Sequence, residues 1–419
     1  MEAFLSPIFY VFTFCAVYVE VFFLMTYIEG RKDIVIRLDD RPDRIYPSVT
    51  IIVPCWNEET TVGGTVRSLL ALDYPKDKIK IILVDDGSTD GTWKALQEFA
   101  GIPNIDIMRK ENGGKHTAMN LGIEKTTTDL IGCLDADSFV TPSALKRIVP
   151  YFDEAEVMAV SPSIIVNNPK RPMEWAQKVE YQLSVYLKKM LGLMNGIHVT
   201  PGPFSIYRTK VFTQLGPYRE AHKTEDMEIA FRMHEAGMRI EQCHDAVVYT
   251  KTPGTPYALY KQRKRWIYGF INNVIDYRRL VFRSQYGAFA LFTIPAGILS
   301  IFSAVYLFIF MIYTTGKFVI GKILEYEAIG VHLPKIAKIK THLATFDWFF
   351  VSTHSVFLIT ILLYGFVFLS LMIGSKMATG KWRPSIAMVW YIAIYSIIAP
   401  IWIISAVFNT ITRRETSWR

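Results

Sequence analysis

The sequence predicts an α/β domain with a mostly parallel, Rossmann-like sheet, inserted between transmembrane helices. Three features lead there. Long apolar runs sit at the two ends of the 419-residue chain instead of being spread through it. Between them, β-branched runs alternate with stretches of helical spacing, the pattern of a parallel sheet covered by helices. Two aspartate clusters fall just after such β-branched runs, where open α/β sheets bind their ligands.

Hydrophobic residues make up 51% of the chain, more than a soluble domain carries. One apolar run covers residues 4–28, and three more lie near 287–315, 347–374 and 386–408, each long enough to cross a bilayer. The first opens on Met1-Glu2 with no basic segment or small-residue cleavage site, so residues 1–30 read as an anchor and not a removed leader. Arg31 and Lys32 follow it directly. By the positive-inside rule they place the insert, residues 45–255, on the cytoplasmic side of a multi-pass cell-membrane protein. The net charge of +8 fits the same rule and anionic headgroups, and no basic stripe interleaved with aromatics argues for nucleic acid. Cys15, Cys55, Cys133 and Cys243 are scattered, without the spacing of a disulfide framework or a zinc site.

Inside the insert, residues 48–55 and 79–84 are β-branched and read as buried strands, the second ending in Asp85-Asp86-Gly87-Ser88. Residues 59–72 and 90–100 have helical spacing, and Leu130–Leu134 is a short strand running into Asp135-Ala136-Asp137. Beyond residue 140, helices are expected near 142–152, 172–195 and 225–237, with a strand near 239–250, around the segment Thr200-Pro201-Gly202-Pro203. Residues 256–285 mix Arg and Lys with Trp, Tyr and Phe, as amphipathic helices at a membrane surface do. Residues 286–410 hold about three further helices.

Each motif has a bland reading beside a chemical one. Asp135-Ala136-Asp137 alone is a solvated turn; after an apolar strand its carboxylates suit a hard divalent cation. Asp85-Asp86-Gly87-Ser88 alone is an Asp-Gly turn with a cap at Ser88 or Asp90. The acids of Thr224-Glu225-Asp226 suit a helix N-terminus. In Gln262-Arg263-Lys264-Arg265-Trp266, the Gln, the second Arg and the Trp share one helix face, which an interfacial helix would also show. Gly113-Gly114-Lys115 lacks the spacer of a Walker A loop.

Taken in order, these segments resemble the processive, inverting family 2 glycosyltransferases: the cellulose, chitin, hyaluronan and poly-N-acetylglucosamine synthases. The resemblance covers roughly residues 48–270. It implies a GT-A nucleotide-sugar transferase domain that uses Mg²⁺ or Mn²⁺ and a UDP-sugar, with UDP-N-acetylglucosamine and UDP-glucose as leading donors. It also implies a growing glycan or lipid-linked acceptor at the bilayer. By that resemblance Asp226 is the general base with Glu225 beside it, and Asp137 and Asp135 hold the metal. Pro54, Asn57, Glu58, Asp86, Lys115, Asp135, Gln262 and Arg265 bind the donor. Trp266 offers a flat surface to the acceptor sugar, and Gly202 and Pro203 lie beside it. Gly87 lets backbone approach the base. Trp56 stands where relatives carry tyrosine, and His116 replaces a small residue.

The membrane part leaves two topologies. If all three C-terminal runs span, Lys317, Lys322, Lys335, Lys338, Lys340, Arg413, Arg414 and Arg419 fall outside, against the positive-inside rule; spanning is nevertheless expected. If 287–315 lies at the interface instead, Pro295-Gly297 divides a turn from a span. Glu20 and His354 are intramembrane ionisable groups, each a lining of a glycan path or a helix-pairing group. Trp348, Trp390, Tyr391 and Trp402 read as an aromatic belt. Three functions remain in competition: polymerisation with export, transfer of one sugar to a lipid phosphate or short acceptor, and a non-enzymatic secretion scaffold. The last predicts loss of catalytic carboxylates, yet Asp135, Asp137 and Asp226 are all present.

Overall fold

The computed structural model describes residues 2–32, 34, 44–328 and 355–414. Its centre is an eight-stranded sheet. Strands β1 (Val49–Cys55), β2 (Ile79–Asp86), β3 (Ile105–Lys110) and β4 (Leu130–Cys133) are parallel neighbours. Helices α2 (Val62–Leu70), α3 (Thr92–Gln97) and α4 (Lys115–Glu124) connect them. The strands are valine- and isoleucine-rich because both faces are covered. Ile51, Val53 and Leu83 pack with Val62, Val66 and Leu69 on one side, while Ile52, Ile82 and Val84 meet Ala118 and Met119 on the other. Register sets Cys55 beside Asp85, so the C-terminal ends of β1 and β2 open together.

The second half of the sheet is mixed. Four more strands complete it: β5 (Ser138–Val140), β6 (Val157–Val166), β7 (Ile206–Arg208) and β8 (Arg239–Thr250). The order is β3-β2-β1-β4-β7-β6-β8-β5. Strand β7 is antiparallel to both β4 and β6, β5 is antiparallel to β8, and β6 and β8 are parallel. The expectation of a mostly parallel sheet therefore describes its first half best. Helices α5 (Ala144–Ile148), α6 (Pro172–Leu193), α7 (Thr209–Leu215) and α8 (Glu225–Glu235) belong to the second half. Strands β3, β5, β6 and β7 escaped the sequence reading, β5 (Ser138–Val140) being only three residues long. Ile-Asp-Ile-Met-Arg-Lys is a half-buried edge, β6 is interrupted by Ser161-Pro162-Ser163, and β7 is only three residues long.

Helix α9 (Pro256–Asp276) carries the Gln262–Trp266 pentad and is capped by Thr255, whose hydroxyl accepts from the Ala258 amide at 3.3 Å. Among the described residues, four helices are long and apolar enough to cross a membrane: α1 (Glu2–Gly30), α10 (Ile294–Ala328), α11 (Ser355–Thr379) and α12 (Ile386–Ile411). Phe289–Thr293 makes a π-helical turn that runs straight into α10. Pro295 and Gly297 thus lie inside one continuous helix, just after its π-helical turn, and divide nothing. Gly297 instead admits the Phe270 ring.

Helices α6 and α9 join the sheet domain to the membrane helices. A Cβ on Gly374 of α11 would stand 2.5 Å from the Gln182 carbonyl oxygen of α6, so the two backbones touch. Ser370 donates to Glu20 at 2.8 Å, which makes Glu20 a helix-pairing group. Trp402 is buried against Ala176 and Leu259 and is no belt residue, whereas Trp390 is exposed. His354, Trp348, Lys335, Lys338, Lys340 and Arg419 lie outside the described residues.

Candidate active site

A cavity of about 1240 Å³ opens where the C-terminal ends of β1, β2 and β4 face α6, α8 and α9. Sequence-distant motifs meet in it. Pro54 and Glu58 line it from the end of β1, Asp86 from β2, and Asp135 and Asp137 from the turn after β4. Lys115 enters from α4, Gly202 and Pro203 from the loop before β7, Glu225 and Asp226 from α8, and Gln262, Arg265 and Trp266 from α9. Of the expected site residues, Asn57 alone does not line it. Its φ of 55° turns the chain, its amide donates to Ser88 Oγ at 3.0 Å, and its Oδ1 accepts from the Thr89 amide at 2.9 Å. It positions the loop after β2.

Electrostatics in the cavity are dominated by crowded carboxylates. Burial, then Asp135, then Glu58 push the Asp137 carboxyl up to about 6. Burial and the neighbouring Glu225 push Asp226 up to about 6 as well, against the pull of Lys115 and Arg265. Lys115 is the central cation. Its Nζ bonds Asp135 Oδ1 and lies 3.7 Å from Glu225 Oε1. Burial acts against its charge, but those carboxylates outweigh it and hold the amine well above the usual lysine range. Gly202 packs onto this pair: a Cβ there would stand 2.7 Å from Asp135 Oδ1.

Asp86 is held by the protein itself. Its Oδ1 accepts from Lys110 Nζ at 2.8 Å and from the Gly113 amide at 3.1 Å, and its Oδ2 accepts from the Gly114 amide at 2.9 Å. Its carboxylate thereby fixes the Gly113-Gly114-Lys115 segment above the strand ends. Gly87, with φ 70°, makes room for protein backbone, since a Cβ would stand 2.7 Å from the Asn112 nitrogen. The cap expected at Ser88 or Asp90 falls instead at Gly91, and Asp90 Oδ1, one residue earlier, accepts from the Thr92 amide at 3.0 Å. Lys110 has no motif signal, because it sits on an edge strand that was not recognised.

The turn carrying Asp226 is built from strained backbone. Ala221, His222 and Lys223 have φ of 42°, 56° and 62°, values that side-chain-bearing residues adopt rarely. Thr224 then donates to the Ala221 carbonyl at 3.0 Å and accepts from Asn273 of α9 at 3.1 Å. Thr200 donates its hydroxyl to the Asp226 carbonyl at 2.9 Å, tying the Thr200–Pro203 loop to α8. Arg265 donates to the Lys223 carbonyl at 2.7 Å. Arg263 donates to Gln262 Oε1 at 2.6 Å. It stacks 4.0 Å from the Trp266 ring centroid and pairs with Glu180 of α6, which also accepts from Tyr395 of α12 at 2.6 Å. Glu180 was missed because its motif is spatial: nothing around it in sequence signals chemistry.

The metal expectation can be tested on the donor set. No group of three or more His, Cys, Asp or Glu side chains able to hold a metal exists among the described residues. Asp135 and Asp137 supply a two-carboxylate half-site, and the Asp137 carboxyl, raised first by burial and then by Asp135 and Glu58, sits where a hard cation would offset both effects. The residues fit a cation whose remaining ligands come from a bound diphosphate and water.

Residues 50–216 match the family described as Glycosyl transferase family 2. The chain is 30% identical over 241 residues to a beta-monoglucosyldiacylglycerol synthase from Synechocystis sp., covering 56% of this chain and 50% of that one. It is 29% identical over 224 residues to a poly-beta-1,6-N-acetyl-D-glucosamine synthase from Staphylococcus aureus, covering 53% and 54%. It spans about half the length of these curated relatives. The solved mannosyltransferase PcManGT from Pyrobaculum calidifontis, in complex with GDP-Man and Mn²⁺, shares the GT-A-like fold. Its TM-score is 0.60 at 18% identity, over 97% of this chain and all of that one.

Proposed function

We propose that this protein is an inverting, metal-dependent glycosyltransferase that moves a sugar from a nucleoside-diphosphate donor to an acceptor reaching it from the membrane side. The observation that carries the reading is the convergence of Asp137, Asp226 and Trp266 on one cavity from three remote parts of the chain. Asp135 and Asp137 would hold Mg²⁺ or Mn²⁺, which when bound neutralises the departing diphosphate. Lys115 and Arg265 add fixed positive charge on the same side. Asp226 takes the proton from the acceptor hydroxyl as it attacks the anomeric carbon, and Trp266 supports the acceptor ring. One base suffices for inversion. UDP-N-acetylglucosamine and UDP-glucose are the leading donors, in keeping with the relatives. The catalytic domain faces the cytoplasm, because Arg31 and Lys32 follow α1.

The wall of the cavity favours an acceptor carried by a lipid over a free glycan. Val19 and Phe23 of α1 and Ala296 and Ile301 of α10 continue it between the membrane helices, and these are aliphatic and aromatic surfaces. Processive polymerisation is the second reading, supported by the Gln262–Trp266 pentad and the poly-N-acetylglucosamine synthase relative. The test is a donor screen on the detergent-purified chain, with Mn²⁺ present or chelated and the products sized. Single-sugar lipid products under saturating donor support the first reading and long glycans the second. No nucleotide release with any donor defeats both and leaves the secretion scaffold.

A further inference from the structure

Two polar groups in the cavity have no task in the chemistry above. Lys188 of α6 lines it and makes no hydrogen bond or ion pair with any described residue. Its neighbour Lys189 shows the contrast: that amine donates to the Gln242 carbonyl at 3.2 Å and stands 4.0 Å from Glu241. His198 also lines the cavity, edge-on to Phe270, with a buried Nδ1 that has no hydrogen-bond partner among the described residues. Buried polar groups are nearly always satisfied, so the orphan His198 ring nitrogen calls for a ligand, and the half-buried Lys188 amine lining the same cavity is placed to share it. Beside them the cavity continues along Val19, Phe23, Leu187, Leu191, Ala296 and Ile301, contributed by α1, α6 and α10. Burial pushes Lys188 down to about 8, and Asp226 is the carboxylate that counters it.

We propose that this crevice binds the acceptor as a phosphate-bearing lipid. Its hydrocarbon lies between α1, α6 and α10, its phosphate oxygens meet Lys188 Nζ and His198 Nδ1, and a sugar hydroxyl beyond the phosphate is offered to Asp226. The inference rests on the donor-site reading above and names the acceptor class for it. In the transfer, the acceptor oxygen bonds to the anomeric carbon of the donor and the bond from that carbon to the diphosphate oxygen breaks. The electron pair leaves with the nucleoside diphosphate, and the hydroxyl proton goes to Asp226.

The test uses the full chain in nanodiscs of neutral lipid, without donor. Equilibrium binding is compared for a long alkyl phosphate carrying one hexose and for the same hexose on an uncharged alkyl chain. The phosphate probe is expected to bind roughly tenfold tighter or better, the range of a charge-assisted hydrogen bond. Lys188→Met should remove that difference while leaving the uncharged probe's affinity and the thermal midpoint unchanged, and Lys188→Arg should restore most of it. Equal affinities in the parent protein, or equal weakening of both probes by Lys188→Met, would overturn the proposal. Phosphatidic acid competing as well as the hexose-bearing phosphate would make the crevice a structural lipid site and overturn it too. Nucleotide release is scored separately. Its absence with every donor, beside an intact affinity gap, would defeat the donor-site reading while the lipid site stands.

Discussion

Gly269 of α9 lies directly against Thr224: a Cβ at residue 269 would stand 2.8 Å from the Thr224 Cβ and overlap the hydroxyl and methyl groups. Thr224 opens the helix that carries Asp226, and Gly269 lies one turn beyond Trp266 on its own helix. This contact therefore sets the spacing between the proposed base and the proposed acceptor platform. Gly269→Ala should force the helices apart, an overpacking cost of about 1–3 kcal/mol. The expected result is a fall of at least about tenfold in kcat, since misplacement of reacting groups is costly. Donor binding, measured by nucleotide titration, should change little.

Gly202 makes a second prediction, at the donor end. Gly202→Ala would drive a methyl group into the Lys115–Asp135 pair. Nucleotide affinity should fall about tenfold, because both charges then lose the geometry that a diphosphate and its cation need. The far-ultraviolet circular dichroism should stay as in the parent, since the loop lies outside the sheet core.

The pH dependence follows from Asp226. A base must be ionised to accept a proton, and burial with Glu225 alongside raises this carboxyl to about 6. kcat/KM should therefore rise with pH through a midpoint near 6. A flat profile between pH 5 and 7, with nucleotide binding constant over that range, would remove Asp226 from the base role.

Tyr395 tests whether the membrane helices steer the acceptor platform. Its hydroxyl donates to Glu180, which pairs with the Arg263 that stacks on Trp266. Tyr395→Phe removes one hydrogen bond, worth about 1 kcal/mol, without unpairing the buried Arg263. Acceptor KM should rise several-fold with donor KM unchanged. Glu180→Ala should be far worse and lower the thermal midpoint, since it leaves a buried guanidinium without its carboxylate.

Much of this site was legible in the sequence because its residues follow local rules. Asp135 and Asp137 end an apolar strand, Asp226 opens an amphipathic helix, and Gln262, Arg265 and Trp266 share a helix face; each signal is contained within a few residues. What stayed hidden depends on packing between distant segments. Glu180, Lys188 and His198 look like ordinary helix and loop residues until the membrane helices are brought against α6. Asp86 and Gly87 were recognised as a motif, yet their carboxylate and open space serve the chain's own Gly113, Gly114 and Asn112. The mixed second half of the sheet was missed for a related reason: β7 is three residues long and draws its stability from pairing on both sides.

The central claim is that two carboxylates lining one cavity divide the work, Asp137 on the cation-bound donor and Asp226 on the acceptor proton. Manganese-dependent nucleotide binding, measured with sugar transfer on Asp137→Asn and Asp226→Asn, tests it most directly. The account predicts that Asp137→Asn loses metal-dependent nucleotide binding, while Asp226→Asn binds nucleotide and Mn²⁺ like the parent but transfers no sugar. Normal metal-dependent binding in Asp137→Asn, or an equal loss of binding in Asp226→Asn, would contradict it.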